Sequence, residues 1–99
     1  MKIKTAKNND TLTISVEGKI DSATAPEFES TVKKEISKCS DLVFDFKKLD
    51  YISSAGLRIL LGAQKLMGGH AMKVVNVNDS VYEIFEITGF SLILDIKKI

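Results

Sequence analysis

The stretch from Leu42 to Arg58, LVFDFKKLDYISSAGLR, decides the fold of this 99-residue chain. Its unbroken apolar run, Leu42–Phe44, predicts a central strand that is covered on both faces. Further along the sequence, a helix is predicted to begin at Ser54. Its apolar spacing continues to Met67, and the two glycines that follow end it. A buried strand followed closely by a helix is the unit from which parallel sheets are built.

On the N-terminal side, two segments that alternate in polarity predict a β-hairpin. They cover residues 2–7 and 11–17, and the turn residues between them are Asn8, Asn9 and Asp10. Gly18 is predicted to end the second strand.

A first helix is predicted after this hairpin. Thr24 and Glu27 have the spacing of a capping box, and Pro26 suits the first turn because its missing N–H needs no partner there. One apolar stripe faces the core and is formed by Phe28, Val32, Ile36 and Cys39. As the continuation of this stripe, Cys39 is interpreted as a small buried apolar side chain.

On the C-terminal side, the pattern predicts a strand, a helix and a last strand. The strand covers Val74–Val77, the helix Ser80–Thr88 and the last strand Ser91–Ile96. Either Asn78 or Ser80 suits the N-cap of this third helix. The predicted fold is therefore α/β: one domain over residues 1–99, with a mostly parallel sheet, an N-terminal antiparallel hairpin and three main helices.

The composition argues against several classes of function. Fourteen basic and thirteen acidic residues leave a net charge of +1, without the basic excess expected of a nucleic-acid or membrane-surface binder. No phosphate-binding glycine motif occurs, and no metal, cofactor or catalytic residue is predicted. The charged N-terminus and the absence of long apolar runs lead us to expect a soluble, cytoplasmic protein.

The most informative candidate site is the strand-to-helix turn around Ser53 and Ser54. In open α/β sheets, ligands and regulatory groups gather where strands end and helices begin. A helix N-cap explains one serine but does not require the second. A glycine in the first turn of a helix costs roughly 0.5–1 kcal/mol of stability relative to alanine. Gly56 therefore suggests that another group approaches the helix closely at this position.

The second helix raises a question about two of its leucines. At about 100° per residue, Leu57 and Leu61 lie to one side of the predicted core face. Either neighbouring helices cover them, or they form an exposed apolar strip beside the serines that binds another protein. The predicted core face itself consists of Gly56, Ile59, Leu60, Ala63, Leu66 and Met67.

Four segments together resemble the STAS domain of bacterial anti-sigma factor antagonists. They are Gly18 to Ala25, Val43 to Phe46, Tyr51 to Leu57, and Ile84 to Phe90, and the likeness extends over essentially the whole chain. The Ser-Ala-Gly-Leu step at a helix start is its most specific part.

The resemblance implies a phosphorylation-controlled exchange of partners. The unmodified protein would bind an anti-sigma factor that is also a serine kinase and so free the sigma factor, and a serine phosphatase would restore the antagonist. Ser54 matches the phosphoacceptor, with Ser53 as the alternative, and Asp21 matches a position close to it. The partner-binding residues expected on this basis are Asp21, Ser53, Ser54, Ala55, Gly56, Leu57, Arg58 and Leu61.

Two positions depart from the family pattern. Ser53 stands where the family commonly has an aspartate, and Arg58 replaces a residue that is often glycine. The loss of the acidic side chain keeps an alternative open, in which the same helix start binds a small anion, a nucleotide or a lipid-transport component without phosphorylation. A serine hydrolase is the weakest interpretation, because His70 lies about 20 Å from Ser54 along the helix.

Overall fold

Six strands and three α-helices follow one another in the computed structural model, which describes all 99 residues. The elements are β1 (Lys2–Asn8), β2 (Thr11–Ile20), α1 (Ala25–Ile36), β3 (Asp41–Asp45), β4 (Leu49–Ile52), α2 (Ser54–Met67), β5 (Met72–Val77), α3 (Asp79–Ile87), a 3₁₀ turn (Phe90–Leu92) and β6 (Asp95–Lys98). None of the three helices combines the length and the apolar character that a membrane span requires. The α/β fold class and the number of helices are as predicted.

The sheet has the strand order β1-β2-β3-β5-β6, and only the β1–β2 pair is antiparallel. Each connection between parallel neighbours advances in the same direction across the sheet. Since such crossovers are right-handed, all three helices lie on one face. They share with the strands a single core cluster of 21 buried residues.

The other face of the sheet carries no helix, which corrects the prediction for β3. Leu42 and Phe44 are buried, but Val43 and Asp45 on the opposite side are only half-buried. The apolar run indicated two covered faces, whereas only one is covered. In the run Leu42–Phe44, only Val43 points to the second face, and one valine does not show whether that face is covered.

Strand β4 was not predicted, and β2 does not end at Gly18. Gly18 has a φ of 101° and marks a shift in register, after which β2 continues to Ile20. The first half of β2 pairs with β3, and the end of β2 pairs with β4. With only four residues and no alternation of polarity, β4 carries no strand signal of its own.

The first helix is capped one turn earlier than predicted. Thr24 makes no side-chain cap to the helix, so the capping box with Glu27 is wrong. Instead the backbone N–H of Asp21 donates to Thr24 Oγ1 (2.9 Å), and the N–H of Thr24 donates to Asp21 Oδ1 (3.0 Å). These reciprocal bonds have the form of a capping box over residues 21–24. The helix ends at Ile36, so Cys39 lies in the following loop and is half-buried.

Towards the C-terminus, Asn78 is the N-cap of α3. Its side chain accepts from Val81 N (2.9 Å) and donates to the carbonyl of Leu49 (2.8 Å), so it also attaches α3 to β4. The predicted last strand Ser91–Ile96 is wrong in its bounds. The chain first makes the 3₁₀ turn after Gly89, whose φ is 81°, and pairs with β5 only from Asp95 onward.

Candidate functional site

The candidate site forms where β2 and β4 end side by side. Ile20 pairs with Ile52 at the ends of these parallel strands, and the backbone N–H of Ser53 donates to the carbonyl of Ile20 (2.8 Å). The next residues, Asp21 and Ser53, therefore leave the same edge of the sheet. The structure thus brings Asp21 close to the two serines.

Asp21 organises the turn that leads into α1. Its Oδ1 accepts from the N–H groups of Ala23 (2.9 Å) and Thr24 (3.0 Å). The pKa of Asp21 is lowered, chiefly because the backbone N–H of Thr24 stabilises the carboxylate. Its carboxylate therefore has a structural task at the edge of the site.

Because its pKa is lower in the folded chain, ionised Asp21 stabilises the fold above the carboxyl's ordinary pKa of 3.8 and loses this effect as the pH falls through the lowered value. We expect the wild type to be more stable than Asp21→Asn at neutral pH. Urea unfolding across a pH series measures this difference, which should shrink below about pH 4. A constant difference down to about pH 2 would contradict the assignment. Asp21→Ala, which also removes the acceptor, should lose more at neutral pH.

The two serines have different surroundings. Ser53 is the N-cap of α2: it is half-buried, and its Oγ accepts from Gly56 N at 3.5 Å. Ser54 is the first helical residue and is exposed. The hydroxyl of Ser54 is therefore open to an enzyme, whereas that of Ser53 serves the helix.

This division predicts different costs for removing the two hydroxyls. Ser53→Ala should lower the free energy of unfolding by about 0.5–1 kcal/mol, because a helix loses its cap. Ser54→Ala removes an exposed hydroxyl and should change it by less than about 0.5 kcal/mol. Chemical denaturation measures both variants, and equal losses would contradict the assignment of Ser53 as the cap.

Gly56 is required by a close approach, as the sequence suggested. A Cβ at this position would lie 2.7 Å from Ile20 Cγ2 and 2.7 Å from Ile52 Cγ1. Both isoleucines are fully buried at the strand ends that form the site. Without a side chain at Gly56, the first turn of α2 packs directly onto β2 and β4.

Of the two alternatives for the leucines of α2, the exposed strip is wrong for Leu57, which is covered: it is 2% exposed and belongs to the core. Gln64, on the same flank of the helix, donates to the carbonyl of Ile93 (3.1 Å), so the C-terminal segment lies against this flank. Leu61 is half-buried. Leu66, predicted in the core, is instead 64% exposed. The buried face of α2 is thus rotated towards the C-terminal segment, a contact that helix periodicity does not reveal.

The free surface beside Ser54 is a groove between α1 and α2. The α1 side contributes Ser22, Ala25, Pro26 and Glu29, and the α2 side contributes Ala55, Arg58 and Ile59. Ile59, predicted to face the core, is half-buried: it packs against the core cluster and also lines the groove. Two of its lining residues, Ala25 and Ala55, are small, but no pattern in the sequence marks the groove.

Arg58 lies one turn beyond Ser54, with its Nη2 3.5 Å from Ser54 Oγ. It is exposed, and no carboxylate lies within ion-pair distance of it. His70 is exposed beyond the opposite end of α2, so no histidine accompanies Ser54. The site has a hydroxyl, a cation and a groove of mixed polarity, which suits binding and modification better than catalysis.

A second depression lies on the face of the sheet that carries no helix. It is lined mainly by charged residues: Lys2, Lys4, Ser15, Val16, Glu17, Asp45, Lys47 and Lys48. Glu17 lies 4.0 Å from both Lys2 and Lys48. None of these residues belongs to the groove beside Ser54.

Comparison with known proteins points to one family. A family model described as STAS domain matches residues 2–98. The anti-sigma-B factor antagonist of Listeria monocytogenes is 30% identical over 96 residues, which cover 94% of this chain and 84% of that protein.

Two solved structures share the fold. An anti-sigma factor antagonist from Mycobacterium paratuberculosis superposes with a TM-score of 0.90 at 22% identity, over 97% of this chain and 84% of its own. The Bacillus cell fate determinant SpoIIAA in its phosphorylated form gives a TM-score of 0.74 at 14% identity, over 96% and 90%.

Proposed function

Since this chain belongs to the STAS domain family, we propose that it is an anti-sigma factor antagonist. In this role it binds an anti-sigma factor and thereby frees a sigma factor. The names of its relatives support the proposal, among them the Listeria monocytogenes protein that aligns with 94% of this chain. The protein acts by binding and has no reaction of its own. The proposal includes the cytoplasmic location that the sequence predicts.

We further propose that Ser54 is the switch. The anti-sigma factor, acting as a serine kinase, phosphorylates Ser54 and releases the antagonist, and a serine phosphatase reverses the modification. One observation carries this assignment: Ser54 is exposed at the start of α2, whereas the Ser53 hydroxyl caps the helix.

The partner-binding surface is the groove between α1 and α2 rather than an exposed strip of Leu57 and Leu61. Its apolar part comes from Ala55 and Ile59, with Pro26 on the facing helix, and Ser54 and Arg58 lie beside it. Buried Leu57 and Gly56 support this surface from beneath. Asp21 contributes by holding the turn into α1.

A phosphate on Ser54 would interfere with binding but not with folding. It adds about 1.5–2 negative charges at neutral pH, which the free N–H groups at a helix start tolerate. Against an apolar or acidic partner surface, the same charge loses its water without compensation from the partner and costs several kcal/mol. The folded protein therefore persists while the complex dissociates.

The proposal is tested by mixing the purified chain with the anti-sigma factor kinases of its source organism, with and without ATP. In the mixture without ATP, we expect a complex of the chain with the anti-sigma factor and release of the sigma factor. After incubation with ATP, we expect phosphate at Ser54 in peptide mass spectra. Phosphate at Ser53 alone would overturn the assignment of the switch. Absence of any complex, together with saturable binding of a small anion or nucleotide, would favour the alternative function.

A further inference from the structure

We propose that Arg58 is the intramolecular receptor for the phosphate on Ser54. This inference rests on the proposed modification of Ser54 and adds a residue to its regulation. Arg58 would bind the phosphate one turn along α2 and hold it on the helix surface, so that the modified protein carries an internal ion pair.

The geometry provides the first argument. Nη2 of Arg58 already lies 3.5 Å from Ser54 Oγ, the atom to which phosphorus would be bonded. Residues separated by four positions are neighbours on a helix surface. Oxygens of the phosphate extend beyond Oγ, so they come within reach of the guanidinium without any movement of the backbone. The planar guanidinium offers two parallel N–H donors to a phosphate, which a lysine does not.

The charges around Arg58 provide the second argument. No carboxylate of the chain lies within 4.0 Å of its guanidinium. Glu29 lines the opposite side of the groove but is paired with Lys33 at 3.7 Å. The first turn of α2 carries no acidic residue. Arg58 is thus an unpaired cation beside an exposed hydroxyl.

The other charged groups near the helix start do not supply the same contact. The carboxylate of Asp21 is occupied by the N–H groups of Ala23 and Thr24. Lys19, the basic group that acts on Asp21, is on β2 and makes no hydrogen bond to Ser54, whereas Arg58 lies within hydrogen-bond distance of Ser54 Oγ. Lys65 lies in the last turn of α2, about 10 Å from Arg58 along the axis.

The test measures the second pKa of the phosphate by ³¹P NMR, with phosphoserine incorporated at position 54 during translation. Arg58 stabilises the dianion, so this pKa, about 6 for a free phosphoserine, is lowered in the wild-type chain. We expect Arg58→Gln to raise it by about 0.3–0.8 unit. Arg58→Lys should show an intermediate value, because it keeps the charge but loses the paired donors.

Lys65→Gln is the matched control, since it removes one positive charge from the same helix at a distant position. It should shift the phosphate pKa by less than about 0.1 unit in physiological salt. Equal shifts in Arg58→Gln and Lys65→Gln, or no shift in Arg58→Gln, would overturn the proposal. A value for Arg58→Lys that lies between those of the wild type and Arg58→Gln shows that the effect follows the charge and donors at residue 58 rather than misfolding.

This experiment needs neither a kinase nor an anti-sigma factor. A failure of the proposed function would appear as absent partner binding while the Arg58 effect on the phosphate remains. A failure of this inference would leave partner exchange intact, with a phosphate pKa that does not depend on residue 58.

Discussion

Ser54→Asp is expected to weaken binding of the anti-sigma factor by at least about tenfold, a loss of about 1.4 kcal/mol in binding free energy. The substitution places a carboxylate at the exposed first position of α2, next to the groove between α1 and α2. On binding, this charge would lose its water against the partner. The melting temperature should change by only a few degrees, because an acidic group is favourable at a helix start. Calorimetric titration and thermal unfolding measure the two effects separately.

Ser80→Asp is a suitable control for this variant. Ser80 is an exposed serine in the first turn of α3, so the substitution adds the same charge to a comparable helix start outside the groove. Partner binding should then stay close to that of the wild type. Undiminished binding by Ser54→Asp, or an equal loss in both variants, would contradict the proposed switch.

Gly56→Ala is expected to destabilise the chain by about 1–3 kcal/mol, although alanine is the better helix former. The added Cβ would lie 2.7 Å from side-chain atoms of both Ile20 and Ile52, which are fully buried and branched. To avoid the clash, α2 must move away from the ends of β2 and β4. For a domain of this size, the loss corresponds to a fall in melting temperature of roughly 5–15 °C.

Gly62→Ala distinguishes this clash from a general effect of glycine replacement in α2. Apart from its chain neighbours and the backbone of its own helix, nothing lies within 4 Å of a Cβ built at Gly62. This variant should gain about 0.5–1 kcal/mol from helix propensity. Denaturant unfolding of both variants checks the contrast, and a similar change in the two would refute the close packing at Gly56.

Features with a local physical cause could be predicted from the sequence. The unexplained glycine at position 56 indicated a close approach, and the structure shows one. Adjacent serines at a helix start suggested that one is a cap and the other is free, and Ser53 and Ser54 divide in this way. The α/β class followed from the alternation of strand and helix patterns.

Features that depend on distant contacts could not be predicted. Strand β4 exists because the end of β2 is free to pair beyond Gly18, which no pattern within residues 49–52 reveals. Leu57 belongs to the core cluster although helix periodicity placed it to one side of the core face, and Gln64, two turns along the same flank, contacts the C-terminal segment at Ile93. The side chain of Thr24 bonds to Asp21 rather than to its own helix, because the two residues form reciprocal hydrogen bonds across the turn of residues 21–24. Each of these wrong predictions concerns a contact with a residue outside the strand or helix in question.

The first turn of α2 has a buried side that packs on the sheet and an exposed side at the surface. Gly56 and Leu57 point inward and hold the helix to the sheet, whereas Ser54 and Arg58 point outward. Substitutions on the exposed side should therefore have little effect on stability, and under the proposed function they would alter recognition. A duplicated copy of this chain could acquire a different partner through changes at a few surface positions, without first needing compensating mutations in its core.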